Sequence, residues 1–253
     1  MRRSLFMAAA AAIALSSAGW TAGAATPSDP GSYAAALADP GRPAADRARD
    51  EARHAAETLD FARVQPGQKV ADMIIGGGYF TRLFSAAVGA EGHVTAWQPA
   101  EFIAFQASYG ESLTTVDALA NVEGVRWSLG APAFPSDLDL VFTAQNYHDL
   151  HLNVAPAETA ANINAAVFRA LKPGGLYVVV DHHAVAGAPL TASDTVHRID
   201  IDAVKREVLA AGFVLDGESD ILANPADPRT ASVFDPSIRG RTSQFMLRFR
   251  KPG

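Results

Sequence analysis

Apolar residues follow two alternating patterns from residue 70 onward. Short apolar runs at residues 70–75, 93–97 and 176–180 have the length and composition of strands that are buried on both faces. Between the first two runs, apolar residues recur every three or four positions, as they do on one face of a helix: Phe80, Leu83, Phe84, Ala87 and Val88. Buried strands that alternate with amphipathic helices predict a doubly wound α/β domain with a mostly parallel sheet.

The same patterns predict the remaining elements. Helices are predicted over residues 46–59, 100–119, 156–171 and 201–211. Strands are predicted at residues 125–129, 138–143 and 213–215. The charges of residues 46–59 indicate a helix face in contact with solvent. Residues 245–250 alternate apolar and polar side chains, which predicts an antiparallel edge strand.

Residues 1–25 have the pattern of a signal peptide. Arg2 and Arg3 precede an apolar run at residues 5–18, and the small residues 22–25 follow as a cleavage site. The run is shorter than the ~20 residues that span a bilayer. Paired arginines also occur in twin-arginine export signals. The sequence therefore predicts a periplasmic or secreted protein without a membrane anchor after cleavage.

The rest of the chain is predicted to divide into a mobile leader, residues 26–45, and one domain, residues 46–253. The 27 acidic residues exceed the 21 Lys and Arg, and loss of Arg2 and Arg3 on cleavage would change the net charge from -6 to -8. This balance argues against nucleic acid as a partner and favours a small molecule. The absence of Cys excludes a disulfide framework, a thiolate zinc site and a Cys nucleophile.

Glycine and polar residues follow three of the predicted strands, where open α/β sheets bind their ligands. In chain order, these sets are Gly76-Gly77-Gly78-Tyr79, Asn146-Tyr147-His148-Asp149 and Asp181-His182-His183. The glycines allow a tight turn and a close approach of a ligand to the backbone. The Gly-x-x-x-x-Gly-Lys-Ser/Thr pattern of P-loop NTPases is absent, as is a strict Gly-x-Gly-x-x-Gly.

The histidine-rich sets support two kinds of chemistry. In an acceptor pocket, His148 or His182 would be a general base that an aspartate orients. In a metal site, which would suit a hydrolase or lyase, imidazole and carboxylate groups would be ligands. The candidate metal ligands are His148, Asp149 and His151 in one cluster and Asp181, His182 and His183 in the other. Local pairing with acids or helix ends is the structural alternative for any of these histidines.

Two motifs resemble those of the class I S-adenosylmethionine-dependent methyltransferases. Residues 70–81, with Asp72 and the three glycines, resemble the family's Asp-x-Gly-x-Gly-x-Gly loop, and residues 171–175 resemble the turn before its fifth strand. Residues 76–81, 146–149, 181–183 and 197–200 are also similar to exported bacterial proteins described as predicted methyltransferases. The resemblance covers about residues 64–251. It implies a Rossmann-like seven-stranded sheet with an antiparallel last strand, S-adenosylmethionine as cofactor and methyl transfer to a small molecule.

The resemblance also implies roles for individual residues. The cofactor side would comprise Asp72, Gly76, Gly77, Gly78, Tyr79, Gln98 and Asn146. The acceptor side and its catalytic groups would comprise Tyr147, His148, Asp149, Asp181 and His182, with Asn146 between the two. Ile74 stands where the family pattern has its first glycine, and Gln98 stands where an acidic residue usually binds the ribose. With these departures, a non-catalytic binding protein of the same fold is an alternative to the enzyme.

Overall fold

The computed structural model describes residues 33–253, and the predicted signal peptide lies outside them. Within this range, seven strands form one sheet in the order β3-β2-β1-β4-β5-β7-β6. The strands are β1 (Lys69–Met73), β2 (His93–Trp97), β3 (Val122–Val125), β4 (Leu138–Ala144), β5 (Leu171–His182), β6 (Val214–Ser219) and β7 (Gln244–Arg250). Strands β1 to β5 pair in parallel, and β7 pairs antiparallel with β5 and β6. The predicted fold class is confirmed.

Helices cover both faces of the sheet. They are α1 (Ala34–Leu37), α2 (Ala44–Arg47), α3 (Ala55–Phe61), α4 (Tyr79–Val88), α5 (Ala100–Phe105), α6 (Ala107–Asp117), α7 (Thr159–Ala170), α8 (Ala192–Val196) and α9 (Ile201–Ala210). The core beneath α7 and α9 contains Ile163, Val167 and Val204, and the core beneath α3 and α4 contains Leu59 and Leu83. Each of these side chains stabilises the fold by about 1.5–3 kcal/mol on burial. None of the described helices has the length and apolarity needed to span a membrane.

Several predicted elements differ from the observed ones. The strand predicted at residues 125–129 is β3, at Val122–Val125. Beyond it, the carbonyl of Trp127 accepts from the N–H of Ala100 on α5 and from Nε1 of Trp97, each at 3.1 Å. The helix predicted over residues 100–119 is interrupted at Gln106, whose backbone is extended. Strand β7 is not an edge strand, since it lies between β5 and β6. Its polar face is covered as well, and Met246 on that face is fully buried.

The segment before β1 is folded onto the domain. Residues 33–45 of the predicted leader contain α1, which packs on α4, and they bury the side chains of Tyr33 and Arg42. The helix predicted over residues 46–59 is divided into α2 and α3 by turns at residues 48–54, and His54 at the start of α3 has a left-handed backbone with φ of 44°. Its charges are not confined to a solvent face, since Asp46 is buried. This segment therefore contributes to the walls of the site.

Candidate functional site: a cavity at the carboxyl ends of β1, β4 and β5

A cavity of about 930 Å³ opens at the carboxyl ends of the central parallel strands. Ile74 to Gly77 follow β1, Gln145 and Asn146 follow β4, and His182 ends β5. The three sets singled out in the sequence thus meet at one place, where open α/β sheets bind ligands. The cavity is within the 300–1,000 Å³ range that is usual for small-molecule sites.

The glycine turn after β1 forms one wall of the cavity. A Cβ atom added at Gly76 or Gly77 would meet no protein atom within 4 Å, so both positions face open space. Gly78 has a different role, because it begins α4 with φ of 75° and an added Cβ would lie 2.6 Å from Cγ1 of Val116. Gly78 does not line the cavity. It is a packing residue rather than the ligand contact that the sequence predicts.

Asp72 places a buried carboxylate on the same wall. Its side chain is buried, and Oδ2 accepts a hydrogen bond of 2.6 Å from the hydroxyl of Thr81. Burial raises the pKa of Asp72 to about 7, although the hydrogen bonds from Thr81 act in the opposite direction. A cationic ligand group would stabilise the ionised form of this carboxylate.

Three non-glycine residues on the cavity wall adopt left-handed backbone conformations. These are Ile74 with φ of 62°, Gln145 with φ of 64° and His197 with φ of 53°. For a β-branched residue such as Ile74 this conformation is a genuine outlier. It is maintained because the Ile74 N–H donates to the carbonyl of Trp97 at 2.8 Å and its carbonyl accepts from Nδ2 of Asn146 at 2.8 Å. Backbone strain of this kind clusters at ligand sites.

Gln98 is not on the cavity wall, contrary to its predicted role. Its side chain is fully buried, and Oε1 accepts a hydrogen bond of 2.9 Å from the backbone N–H of Gly76. Its Nε2 has no hydrogen-bond partner among the described residues. Glu101 lines the cavity instead, with its carboxylate oxygens accepting from Ser128 Oγ at 2.6 Å and from the Leu129 N–H at 2.9 Å.

His148 lines the cavity and lies between two carboxylates. Its Nδ1 is 2.8 Å from Oδ1 of Asp181, and its Nε2 is 3.2 Å from Oδ1 of Asp149. Burial alone would lower the pKa of His148, but the charge and hydrogen bond of Asp181, with the charge of Asp149, raise it to about 9. Burial raises the pKa of Asp149 to about 6 against the opposing charge of His148. His148 is therefore an imidazolium at neutral pH.

His182 has the opposite protonation preference. Its Nδ1 lies 2.8 Å from Oγ1 of Thr242, and its ring centroid is 6.0 Å from that of His148. Burial lowers the pKa of His182 to about 4, and the positive charge of His148 adds to this effect while Asp181 opposes it. The two cavity histidines thus differ in charge at neutral pH, so that one can donate a proton while the other can accept one.

Asp181 acts behind the cavity wall. It is fully buried and does not line the cavity, and its oxygens accept from the backbone N–H groups of His148 and His182, each at 2.7 Å. It cannot contact a ligand in this arrangement, so its predicted catalytic role becomes a positioning role. A carboxylate only accepts, so Nδ1 of His148 carries a hydrogen and donates it to Asp181, which fixes the orientation of the ring.

Tyr147 points away from the cavity and does not act there. Its hydroxyl donates to Oε2 of Glu207 at 2.9 Å and accepts from Nδ2 of Asn164 at 2.8 Å. His151 joins the same network, with Nε2 at 3.0 Å from Oε2 of Glu207. The ring of His183 packs instead against Phe245. The two metal clusters predicted from sequence are therefore not formed.

A different set of side chains has metal-ligand geometry. One ligand atom each of His148, Asp149 and His197 lies within 4.8 Å of the others. His197 begins the motif at residues 197–200 but was not predicted as a site residue, and its ring lies 5.5 Å from that of His148. Arg198, the next residue of that motif, is buried in a bidentate pair with Asp227.

Arg53 closes the cavity from the N-terminal segment, which sequence reasoning did not anticipate. Its guanidinium lies over the rings of Tyr79 and Phe80, 4.7 Å and 5.5 Å from their centroids. Nη2 donates to Oε1 of Gln145 at 3.4 Å. Burial lowers the pKa of Arg53, and the charge of Arg49 adds to this effect. An arginine on an Ala-rich segment gave no local signal of this contact.

Ion pairs fasten this segment to α4. Asp46 pairs with Arg82 at 2.6 Å, and Asp50 pairs with Arg42 at 2.6 Å. Tyr79 donates its hydroxyl to Asp50 at 2.6 Å. Tyr79, which the sequence predicts to bind the cofactor, therefore lines the cavity and also holds the segment before β1 in place.

Comparison with known proteins identifies one partial relative. The uncharacterized methyltransferase sll0829 of Synechocystis sp. is 31% identical over 129 residues, which are 49% of this chain and 52% of that protein. The chain thus matches about half the length of this relative. No family model matches the sequence.

Solved structures resemble the whole domain. An S-adenosylmethionine-dependent methyltransferase from Aquifex aeolicus has a TM-score of 0.56 at 19% identity, over 88% of this chain and 98% of that one. An arsenic(III) S-adenosylmethionine methyltransferase from Chlamydomonas reinhardtii has a TM-score of 0.52 at 18% identity, over 89% and 75%. Similarity at this level of identity defines the fold. The chain therefore has the fold of the class I S-adenosylmethionine-dependent methyltransferases.

Proposed function

We propose that this protein transfers a methyl group from S-adenosylmethionine to a small-molecule acceptor. The observation that carries the proposal is the turn at Gly76 and Gly77, which borders the cavity where any side chain would enter open space. A ligand can approach the backbone closely at such a turn. When bound, S-adenosylmethionine supplies an electrophilic methyl group on its sulfonium.

The chain's residues fit the methionine end of this cofactor. The buried carboxylate of Asp72 would bind its ammonium group, and the N-terminal end of α4 would favour its carboxylate. Gln98 is turned towards Gly76, so we expect Glu101 to supply the acidic group for the ribose. Asn146 supports the site through its hydrogen bond to the carbonyl of Ile74.

The acceptor would lie beside the two histidines. Neutral His182 can take a proton from the nucleophile, whereas Nε2 of protonated His148 can donate a hydrogen bond to an anionic or carbonyl oxygen that takes the place of Oδ1 of Asp149. Methyl transfer also depends on holding the nucleophile in line at short distance. Asp181 fixes both histidine backbones and so contributes to this positioning.

Calorimetric titration with S-adenosylmethionine and S-adenosylhomocysteine tests the cofactor site. We expect dissociation constants in the micromolar range, as is common for enzyme ligands. The variants Gly77→Ala and Gly77→Leu should weaken binding in that order, by more than about tenfold for Leu, because their side chains occupy ligand space. Their melting temperatures should match the wild type, since Cβ meets no protein atom there. Absence of binding for both nucleosides up to about 1 mM, the upper end of that range, would refute the proposal.

A non-catalytic binding protein is the second candidate, because Ile74 and Gln98 depart from the family pattern. Both candidates bind the two nucleosides, and only the enzyme converts one into the other. Formation of S-adenosylhomocysteine should therefore be followed in the presence of fractionated small-molecule extracts. Binding without conversion in any fraction would favour the second candidate.

We also propose that the protein is exported to the periplasm or beyond through residues 1–25. Support comes from Arg2, Arg3 and the apolar run that follows them. N-terminal sequencing of the protein from a periplasmic fraction should begin at or near Thr26. Recovery of the uncleaved chain from the cytosol alone would contradict export.

A further inference from the structure

The most exposed apolar side chains of residues 33–253 gather at the mouth of the cavity. Phe105 and Val154 are each 86% exposed and Phe234 is 56% exposed, whereas no other large apolar side chain in this range exceeds 42%. All three line the cavity. Single exposed apolar residues are ordinary on protein surfaces, but their convergence on one opening indicates a binding surface. We call these three residues the apolar rim.

The rim is assembled from distant parts of the chain. Phe105 ends α5, Val154 follows the 3₁₀ turn His148–His151, and Phe234 lies in the loop between β6 and β7. Three separate segments therefore each place one apolar side chain at the opening. Neighbouring wall residues Leu152, Pro156 and Val233 are apolar too.

The rim is continuous with the polar acceptor side. The ring of Phe234 packs on that of His197, with centroids 4.8 Å apart. His197 in turn lies 4.0 Å from Oδ1 of Asp149 through its Nδ1. A ligand that spans both parts would meet imidazole and carboxylate groups inside and the three apolar rim side chains at the mouth.

We propose that the acceptor is amphipathic, with its nucleophile beside His148 and His182 and an extended apolar part against Phe105, Val154 and Phe234. This inference rests on the proposed methyl transfer for the identity of the inner group. Arg49 and Arg53 lie on the glycine-turn side of the cavity, which suits a charged cofactor end. The rim residues themselves carry no charge, which suits an alkyl, prenyl or fused aromatic group.

Alkyl 4-hydroxybenzoates test this assignment, because they join a phenol nucleophile to an apolar chain of chosen length. Their affinity should be measured by calorimetry from the methyl to the octyl ester, with and without saturating S-adenosylhomocysteine. Burial of each methylene that reaches the rim should tighten binding roughly two- to fourfold. We expect at least about a thirtyfold gain between the methyl and octyl esters.

Rim variants and matched surface variants distinguish ester binding at the rim from non-specific binding to apolar side chains elsewhere on the surface. In Val154→Ser/Phe234→Ser the gain should fall below about fivefold while the methyl ester binds as in the wild type, since only the outer contact is removed. Phe105→Ser should reduce the gain as well. Leu190→Ser/Leu209→Ser changes two side chains that are 42% exposed and do not line the cavity, and it should leave the gain unaltered.

Several outcomes would overturn the inference. One is an ester affinity that does not depend on chain length, and another is a rim double variant that keeps the wild-type gain in affinity from the methyl to the octyl ester. A third is a loss of S-adenosylhomocysteine affinity in that variant, which would assign the rim to the cofactor. Sedimentation that shows a wild-type dimer and a monomeric rim variant would assign it to a second copy. Failure of the proposed function can be told apart from failure of the rim assignment. In that case neither S-adenosylmethionine nor S-adenosylhomocysteine binds, whereas the esters still bind more tightly as their chains lengthen.

Discussion

Asp181 holds His148 at two points, since Oδ2 accepts from its backbone N–H at 2.7 Å and Oδ1 lies 2.8 Å from its Nδ1. The same carboxylate accepts from the backbone N–H of His182 at 2.7 Å. One buried side chain thus joins the turn after β4 to the end of β5. The relative placement of the two cavity histidines depends on this group.

Asp181→Asn should destabilise the protein and alter its response to alkaline pH. Loss of one partner of a buried ion pair costs about 3–5 kcal/mol. In the wild type the pKa of His148 is raised from 6.5 to about 9, so its contribution is fully present below pH 6.5 and is lost as the pH rises through 9. Urea unfolding at pH 6 to 9 should show this loss in the wild type and little of it in the variant. The control is Asp220→Asn, which changes an exposed carboxylate. Equal slopes of stability against pH in the wild type and Asp181→Asn would contradict the assignment.

Asp72→Asn should stabilise the protein at alkaline pH and weaken cofactor binding. Because the pKa of Asp72 is raised from 3.8 to about 7, the folded state favours its protonated form, and this contribution is lost as the pH rises through 7. The substitution should therefore raise the free energy of unfolding at pH 8, and its effect there should exceed its effect at pH 4 by roughly 2–4 kcal/mol. Affinity for S-adenosylhomocysteine should fall at least about tenfold, the equivalent of one charge-assisted hydrogen bond. A variant that is less stable than the wild type at pH 8 would show that the carboxylate is not strained by burial.

Much of the cavity could be predicted from sequence because its wall is built by strand ends. Parallel strands bring their carboxyl ends to one edge, so Gly76, Asn146 and His182 had to lie near each other once the strands were recognised. An aspartate beside a cavity histidine was expected for the same reason, and the structure shows that Asp181 pairs with His148. The positions of these strand-end residues can therefore be predicted from local sequence patterns.

The rest depends on side-chain directions and distant partners. Tyr147 and His151 are turned towards Glu207, which is on α9 and far away in sequence, so that proximity to His148 along the chain was misleading. Arg53 reaches the cavity only because the segment before β1 folds back over α4. Its composition is the same as that of a solvent-exposed helix, and no periodicity distinguishes the two cases.

Arg198 should prove to be a structural residue of the loop that carries the rim residue Phe234. Its guanidinium pairs with Asp227 at 2.8 Å and donates to the carbonyl of Ala231 at 2.8 Å, with both side chains of the pair fully buried. Arg198→Met should cost about 3–5 kcal/mol, because it leaves a buried carboxylate without its cation. Adding Asp227→Leu should recover part of this cost, as a double-mutant cycle in urea would show.

Ligand binding distinguishes this role from a role in the pocket. Arg198→Met should bind S-adenosylhomocysteine within about twofold of the wild type under folding conditions, whereas hydrogen exchange should accelerate in the loop around Phe234. A large loss of affinity for S-adenosylhomocysteine with unchanged hydrogen exchange would show instead that Arg198 acts in ligand binding.

Ile74 should tolerate glycine better than alanine, in contrast to its neighbour Ile75. Both side chains are buried, but only Ile74 has a positive φ, at 62°. A left-handed conformation costs a residue with Cβ about 1–2 kcal/mol, whereas glycine adopts it freely. Ile74→Gly should therefore be more stable than Ile74→Ala by about 0.5–1 kcal/mol, once the greater entropy of the unfolded glycine chain is included.

The matched pair at Ile75 provides the control. There the backbone has no positive φ, so Ile75→Ala should be more stable than Ile75→Gly by about 0.5–1 kcal/mol. Urea denaturation of the four variants measures both differences, and the lost side-chain contacts cancel within each pair because Ala and Gly remove nearly the same atoms. The same order of stability at both positions would mean that the backbone of Ile74 is not strained. The opposite order at the two positions would assign the strain to the backbone of the glycine turn after β1.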